Sequence, residues 1–319
     1  MAVYTDVSFE ELEVFLASYD LGHAHVFKGI AEGVSNSNYY LQTSTGAYIL
    51  TLYEKRVERD DLPFYLGLMD HLARAGLKCP TPVRSKAGKL TGILNGRPAA
   101  ILTFLDGVSL RRPTVELCGK TGRALAELHA AGAGFLLTRP NSLGLEGWKQ
   151  LAADCAARAD TVADGLNALI DEELKALEAK WPKSLPEGVI HADLFPDNVL
   201  FVDNEVSGLI DFYFACSDAF AYDFAVTLNA WCFEADGSFN LTKGRALATG
   251  YQSKRKLDAA EREAMPLLCR GAALRFLLTR LYDWLNPDPA ALVRPKDPRE
   301  YAKRVRFHRT ITGPAGYGL

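Results

Sequence analysis

His191-Ala192-Asp193-Leu194-Phe195-Pro196-Asp197-Asn198 leads into two apolar runs, residues 199–202 and 206–210, and then into Asp211. The polar residues Asp203-Asn204-Glu205 separate the runs, the pattern of two short strands joined by a tight turn. A hairpin returns the chain to its starting end, so Asn198 and Asp211 are expected close together, with Asp193 just upstream in the same loop. Two carboxylates and an amide then meet at one end of a rigid element. Asp and Asn are also ordinary turn formers, which is reason enough for Asp203 and Asn204; Asp197 is open to either role.

Phosphoryl transfer from ATP needs oxygen ligands for Mg²⁺ and a group that orients and deprotonates the attacking hydroxyl. The order D-x-x-x-x-N, hairpin, Asp is similar to the protein-kinase arrangement of catalytic base, second-metal asparagine and metal-binding aspartate. Asp193, Asn198 and Asp211 together, after His191, favour function over a chance group of turn formers. His191 is expected to brace the loop by hydrogen bonds. His129, near Gly132, is expected to be a buried, satisfied imidazole and not a ligand.

Upstream, Ser8-Phe9-Glu10-Glu11 has capping-box form, and Leu12, Phe15, Leu16 and Tyr19 follow at helical spacing, so a short amphipathic helix is predicted to end near Gly22. Residues 26–53 turn to β-rich runs, with Tyr39-Tyr40-Leu41 and Tyr48-Ile49-Leu50-Thr51-Leu52 read as a hairpin. Residues 60–75 read as a helix stopped by Gly76, and residues 90–94 and 99–104 as strands joined at Asn95-Gly96. Beyond Leu105-Asp106-Gly107 the pattern becomes helical over residues 113–131, 148–180, 218–233 and 258–285. Pro266 falls inside the last of these and predicts a kink or two shorter helices. The fold class is α+β, with a small N-terminal lobe carrying an antiparallel sheet (1–103) and a larger, mainly helical C-terminal lobe (104–319). From Asn286 the chain is proline-rich and then basic, with Lys303, Arg304, Arg306 and Arg309 expected on a solvated, partly loose tail.

Lys and Arg number 36 against 39 Asp and Glu, a net charge of -3 that gives no general attraction for nucleic acid or anionic lipid. Asp6, Glu10, Glu11 and Glu13 precede any apolar block, unlike a signal peptide. The apolar residues 271–285 are interrupted by Arg275, Arg280 and Asp283, which argues against a membrane span. Cys79, Cys118, Cys155, Cys216, Cys232 and Cys269 form no CxxC pair and read as reduced core thiols of a cytoplasmic protein. The expected partner is a small molecule.

Over most of its length the chain resembles the family of aminoglycoside, choline and homoserine kinases, which share a bilobal protein-kinase-like fold. The stretch from His191 through Val199 marks the broad family. Ile210-Asp211-Phe212-Tyr213-Phe214-Ala215, Tyr222-Asp223-Phe224-Ala225 and Leu274-Arg275-Phe276-Leu277-Leu278-Thr279-Arg280-Leu281-Tyr282-Asp283-Trp284 are most similar to bacterial homoserine kinases. The resemblance implies ATP and Mg²⁺ as cofactors and phosphorylation of the side-chain hydroxyl of L-homoserine, a step of threonine biosynthesis. It further implies that Asp193 is the base, that Asn198 and Asp211 hold Mg²⁺, that Thr103, Phe104 and Leu105 form a hinge against the adenine, and that Asp223 braces the catalytic loop. The run Gly33-Val34-Ser35-Asn36-Ser37-Asn38 sits where the family's phosphate-covering turn belongs, although it is not G-x-G-x-x-G. Ser35 and Asn36 are candidates to cradle phosphate, beside the reading of a plain turn. In a kinase the third strand carries a phosphate-binding lysine; here the matching position is Thr51, with Lys55 or Arg56 as candidates to reach in.

An amino-acid acceptor needs partners for its carboxylate and its ammonium. Arginine's two-pronged donor geometry suits the carboxylate, so Arg275 and Arg280 are candidates. Five residues apart on a helix, they point in different directions, and only one is expected to face the site. A structural pair with an acid such as Asp283 is the competing role for either. Tyr213 and Trp231 are candidates for pocket lining or core, and Asp218 for the ammonium. Two alternatives stand beside this reading: a kinase of the same fold acting on choline, an aminoglycoside or another amino alcohol, and a catalytically weak nucleotide-binding regulatory module.

Overall fold

The computed structural model describes residues 5–30, 36–54, 58–287 and 295–319. The chain divides into two compact units, with the boundary between Asp106 and Gly107.

In the first unit the Ser8 hydroxyl accepts from the Glu11 N–H at 3.2 Å, and the Glu11 carboxylate accepts from the Ser8 N–H at 2.7 Å. This reciprocal cap starts α1 (Phe9–Leu16), whose Leu12, Phe15 and Leu16 are buried. They pack into the core of an antiparallel sheet formed by β1 (Ala24–Gly29), β2 (Asn36–Thr43), β3 (Gly46–Tyr53), β4 (Gly92–Leu94) and β5 (Arg97–Thr103), in the order β1-β2-β3-β5-β4. Between β3 and β4 lies α2 (Leu62–Arg74), which buries Leu66, Leu68, Met69 and Leu72. Asn95 and Gly96 both adopt left-handed backbone, φ 48° and 73°, the conformation that closes a two-residue hairpin between β4 and β5.

The second unit opens with α3 (Val115–Ala131), capped by the Thr114 hydroxyl on the Leu117 N–H. It continues with α4 (Leu145–Cys155), α5 (Leu166–Lys180), β6 (Glu187–Ile190), β7 (Val199–Val202), β8 (Glu205–Leu209), β9 (Cys216–Ala219), α6 (Phe220–Trp231), α7 (Leu241–Gln252), α8 (Ala259–Leu285) and α9 (Arg299–Arg309). Two small antiparallel pairs, β6 with β9 and β7 with β8, fix the segments that enter and leave the loop around Asp193.

Three expectations are corrected. The helix expected over residues 148–180 is broken into α4 and α5 by a 3₁₀ turn (Ala159–Thr161) and by Gly165 at φ 71°, a left-handed residue that no helix continues through. Of the two alternatives expected at Pro266, a kink or two shorter helices, the second is excluded: α8 is one helix of 27 residues that runs through the proline. A proline removes one backbone bond there, while Ala264, Met265, Leu268 and Cys269 are buried on both sides of it and hold the helix by packing. The basic tail is ordered, because Tyr301, Arg304, Val305 and His308 recur on one buried face of α9. Arg304 is anchored there: it donates to the Asn229 carbonyl and to Glu300 and lies over the rings of Phe233 (4.8 Å) and Tyr301 (4.3 Å), while its enclosed Nε has no partner. The His308 ring meets the Tyr317 hydroxyl and the Asn229 side-chain oxygen, both at 2.9 Å. Only Lys303, Arg306 and Arg309 of the basic run face solvent.

All six cysteines are buried and unbridged. Among the described residues no helix is long and apolar enough to cross a membrane.

Candidate active site

Strand β6 delivers the chain into a loop held from below by Asp223 on α6. One Asp223 oxygen accepts from the His191 N–H (2.7 Å) and from the His129 ring (2.9 Å), and the other from the Ala192 N–H (2.8 Å). Burial alone would raise this carboxyl, but the His129 hydrogen bond and the two nearby imidazoles hold it below its ordinary value. His129 in turn contacts the Tyr251 hydroxyl at 2.8 Å, so it is a satisfied buried imidazole. His191 is fully buried, and burial pushes its imidazole below its ordinary value; its ring contacts the Ile210 carbonyl (3.0 Å) and accepts from the Asp193 N–H (3.3 Å). The indole N–H of Trp231 donates to the Leu194 carbonyl at 2.8 Å, which makes Trp231 a brace of the loop within the core.

Asp193 keeps 17% of its side-chain surface open. Crowding by the surrounding protein pushes its carboxyl up to about 6, against the pull of Arg275. Asn198 ends a 3₁₀ turn (Pro196–Asn198) and directs its Nδ2 to the Asp193 carbonyl (2.8 Å) and carboxylate (3.3 Å). Across the hairpin the Ile210 N–H donates to the Asn198 carbonyl at 3.0 Å, which brings Asp211 beside this amide. The hairpin turn itself is Asp203-Asn204, both left-handed at φ 50° and 62°. Asp211 is also left-handed, φ 64°, and has exposed surface. Crowding and the Asp193 charge push its carboxyl up to about 6, opposed by His191 and the Tyr213 backbone N–H. The Asp193 charge raises Asp211, and the Asp197 charge raises Asp193; acids crowded in this way suit a cation, and the donors present are oxygens. The Asn198 nitrogen is committed to Asp193.

Arg275 and Arg280 diverge along α8. Arg275 is buried against the loop: it donates to the Ala192 carbonyl and places Nη2 3.8 Å from Asp193 Oδ1. Arg280 turns to Glu300 (2.6 Å) and lies over the Tyr301 ring at 4.4 Å. Tyr213 follows Asp211 in a 3₁₀ turn (Phe212–Phe214) and is half-buried. Asp218 lies on β9, where a helix start was expected, and accepts from Asn141 (2.8 Å) and the Ala219 N–H (2.7 Å). Lys296, which carries no sequence signal of its own, stands 3.8 Å from Asp197 and over the Phe195 ring.

In the first unit Asn36 opens β2, buried, with its side-chain oxygen accepting from the Glu54 N–H. Thr51 is buried and donates to Asn38 Oδ1 at 2.8 Å. Thr103 ends β5 and is tied to Thr81, its hydroxyl accepting from the Thr81 N–H at 2.9 Å. The Phe104 N–H donates to the Ala47 carbonyl and its ring is exposed, while Leu105 is half-buried. Ser35, Lys55 and Arg56 lie outside the described residues.

The sequence pattern of the phosphotransferase enzyme family (APH) matches residues 26–258. A homoserine kinase of Azorhizobium caulinodans is 62% identical over 319 residues, covering 100% of this chain and 99% of that protein. A homoserine kinase of Rhizobium meliloti is 61% identical, covering 100% and 98%. Among solved structures, amicoumacin kinase hAmiN with AMP-PNP and Ca²⁺ superposes with a TM-score of 0.69 at 16% identity, over 95% of this chain and 94% of that one. Choline kinase from Cryptosporidium parvum gives 0.65 at 15% identity, over 89% and 88%. At those identities the structural likeness is one of fold: a five-stranded antiparallel sheet in the N-terminal part and a helical C-terminal part. With a family pattern that spans the whole loop and relatives alike from end to end, the chain belongs to the phosphotransferase enzyme family, in its homoserine kinase group.

Proposed function

We propose that this chain is an ATP-dependent homoserine kinase that transfers the γ-phosphoryl group to the side-chain hydroxyl of L-homoserine, giving O-phospho-L-homoserine. Its main support is identity of 62% and 61% along the full chain to homoserine kinases.

The chemistry asks the protein chiefly for positioning and charge stabilisation. Asp193 is the general base: partly open to solvent, with a carboxyl near 6, it is ionised at neutral pH yet basic enough to take the hydroxyl proton as the oxygen attacks phosphorus. Asn198 holds that carboxylate through its Nδ2 and so sets the direction from which the hydroxyl is approached. Asn198 Oδ1 and the Asp211 carboxylate would hold Mg²⁺, which supplies neutralisation of the phosphate charge when bound. For the nucleotide we assign Ser35 and Asn36 to the phosphates and Thr103, Phe104 and Leu105 to the adenine; the exposed Phe104 ring supports the latter. Tyr213, next to the metal-binding position, faces the acceptor. Six unbridged thiols support a reducing compartment, the cytoplasm.

Coupled ADP release with MgATP and a panel of L-homoserine, choline, L-serine and an aminoglycoside tests the assignment. Turnover of L-homoserine is expected with kcat/KM about 100-fold above that of L-serine, the scale that one missing methylene sets, and further above that of choline and the aminoglycoside. Selective turnover of another acceptor would keep the kinase and discard the substrate. ATP binding with no turnover would replace both by the regulatory module.

A further inference from the structure

Arg275 is 2% exposed, and a buried guanidinium is costly unless its donors are used. Its faces are covered by Phe276, 4.3 Å from the ring centroid, and Phe214, at 5.4 Å. Nη1 donates to the Ala192 carbonyl and Nη2 points to Asp193 Oδ1 at 3.8 Å; Nε is fully enclosed and has no partner. No open two-pronged edge is left for a ligand's carboxylate, although such an edge is what makes arginine a carboxylate ligand.

What the guanidinium does hold is a strained turn. Ala192 sits at φ 61°, a region that strains any residue carrying a Cβ. Its N–H is fixed by Asp223 at 2.8 Å, and its carbonyl, part of the rigid peptide plane leading to Asp193, is fixed by Arg275. The two Asp193 oxygens are also divided between neighbours: Oδ1 faces Arg275 and Oδ2 faces Asn198 Nδ2 at 3.3 Å.

We propose that Arg275 is a positioning residue for Asp193: it locks the Ala192–Asp193 peptide in its left-handed turn and orients the carboxylate, and it does not bind the acceptor. This rests on Asp193 being the base in the reading above. A role acting through the base makes a different kinetic mark from a role in acceptor binding.

The experiment compares wild type, Arg275→Met and Arg275→Lys by single-turnover rate and KM. The acceptors are L-homoserine and 3-amino-1-propanol, the same amino alcohol without the carboxylate. Arg275→Met is expected to slow transfer about 100-fold with both acceptors, the scale of a misplaced catalytic group. The KM for L-homoserine and the preference between the two acceptors should stay within about 3-fold. Adding Ala192→Gly to Arg275→Met should restore about 10-fold of the rate, since glycine takes positive φ without strain. Arg275→Lys keeps the charge without the planar fork and should fall between; if the Met variant fails to fold, judged by circular dichroism, the Lys variant carries the same measurements. A raised KM for L-homoserine with loss of the acceptor preference would overturn the proposal in favour of a carboxylate ligand. An unchanged rate would overturn it outright. Wild-type turnover of L-homoserine separates failure of the acceptor assignment from failure of this one; should another acceptor be preferred, the same rate and rescue comparison is made on that acceptor.

Discussion

The loop around Asp193 and the strand around Thr51 hold corresponding places in a kinase pattern, and the chain treats them in opposite ways. At the loop every neighbour is recruited to one small segment: Asp223 from α6, His129 from α3, Trp231 from the end of α6, and Arg275 from α8. At the strand, Thr51, which the sequence pattern matches to the kinase lysine, is buried and tied to Asn38 directly across the β2–β3 pair. The acidic half of the machinery is built from long-range braces. The strand position serves cohesion of the sheet.

Asp193→Asn should break the comparison most sharply. Single-turnover transfer is expected to fall about 1,000-fold, within the usual range for loss of a general base, with ATP affinity unchanged within about 3-fold. Equal losses in both would make Asp193 a binding residue.

Asp223→Ala tests the bracing. It leaves the buried His129 ring and the N–H groups of His191 and Ala192 without their acceptor, and about 3–5 kcal/mol of stability should be lost in urea unfolding. A loss below about 1 kcal/mol would mean that the loop is held elsewhere.

The smallest effect is expected for Thr51→Val, which keeps the shape and removes one hydrogen bond: about 1 kcal/mol of stability, and a KM for ATP within about 2-fold of wild type. A tenfold rise in that KM would return the position to the nucleotide and undo the contrast.

Local signals were the legible ones. The capping box at Ser8, the Asn95-Gly96 turn and the hairpin with Asp203-Asn204 at its tip depend on neighbours within a few residues, and the strand and helix types follow from them. The proximity of Asn198 and Asp211 could be expected for the same reason, since a hairpin enforces it. What could not be read depends on distance in the chain. Spacing along α8 says that Arg275 and Arg280 diverge, but not which of them turns inward, nor that Arg275 meets Ala192, 83 residues earlier. The charge of α9 suggested a solvated tail, because nothing nearby shows that Arg304 and His308 find partners on Asn229. The break between α4 and α5 was hidden because the apolar spacing on either side is equally helical.

A single carboxylate, that of Asp223, joins donors that lie 94, 32 and 31 residues away along the chain. Such closures between distant segments come late in folding, after the local helices have formed. A chain in which these segments have not met lacks all three bonds, so native geometry of the loop requires the helices behind it to be docked. Enzymatic activity is thereby a stricter gauge of a completed native state than helical content.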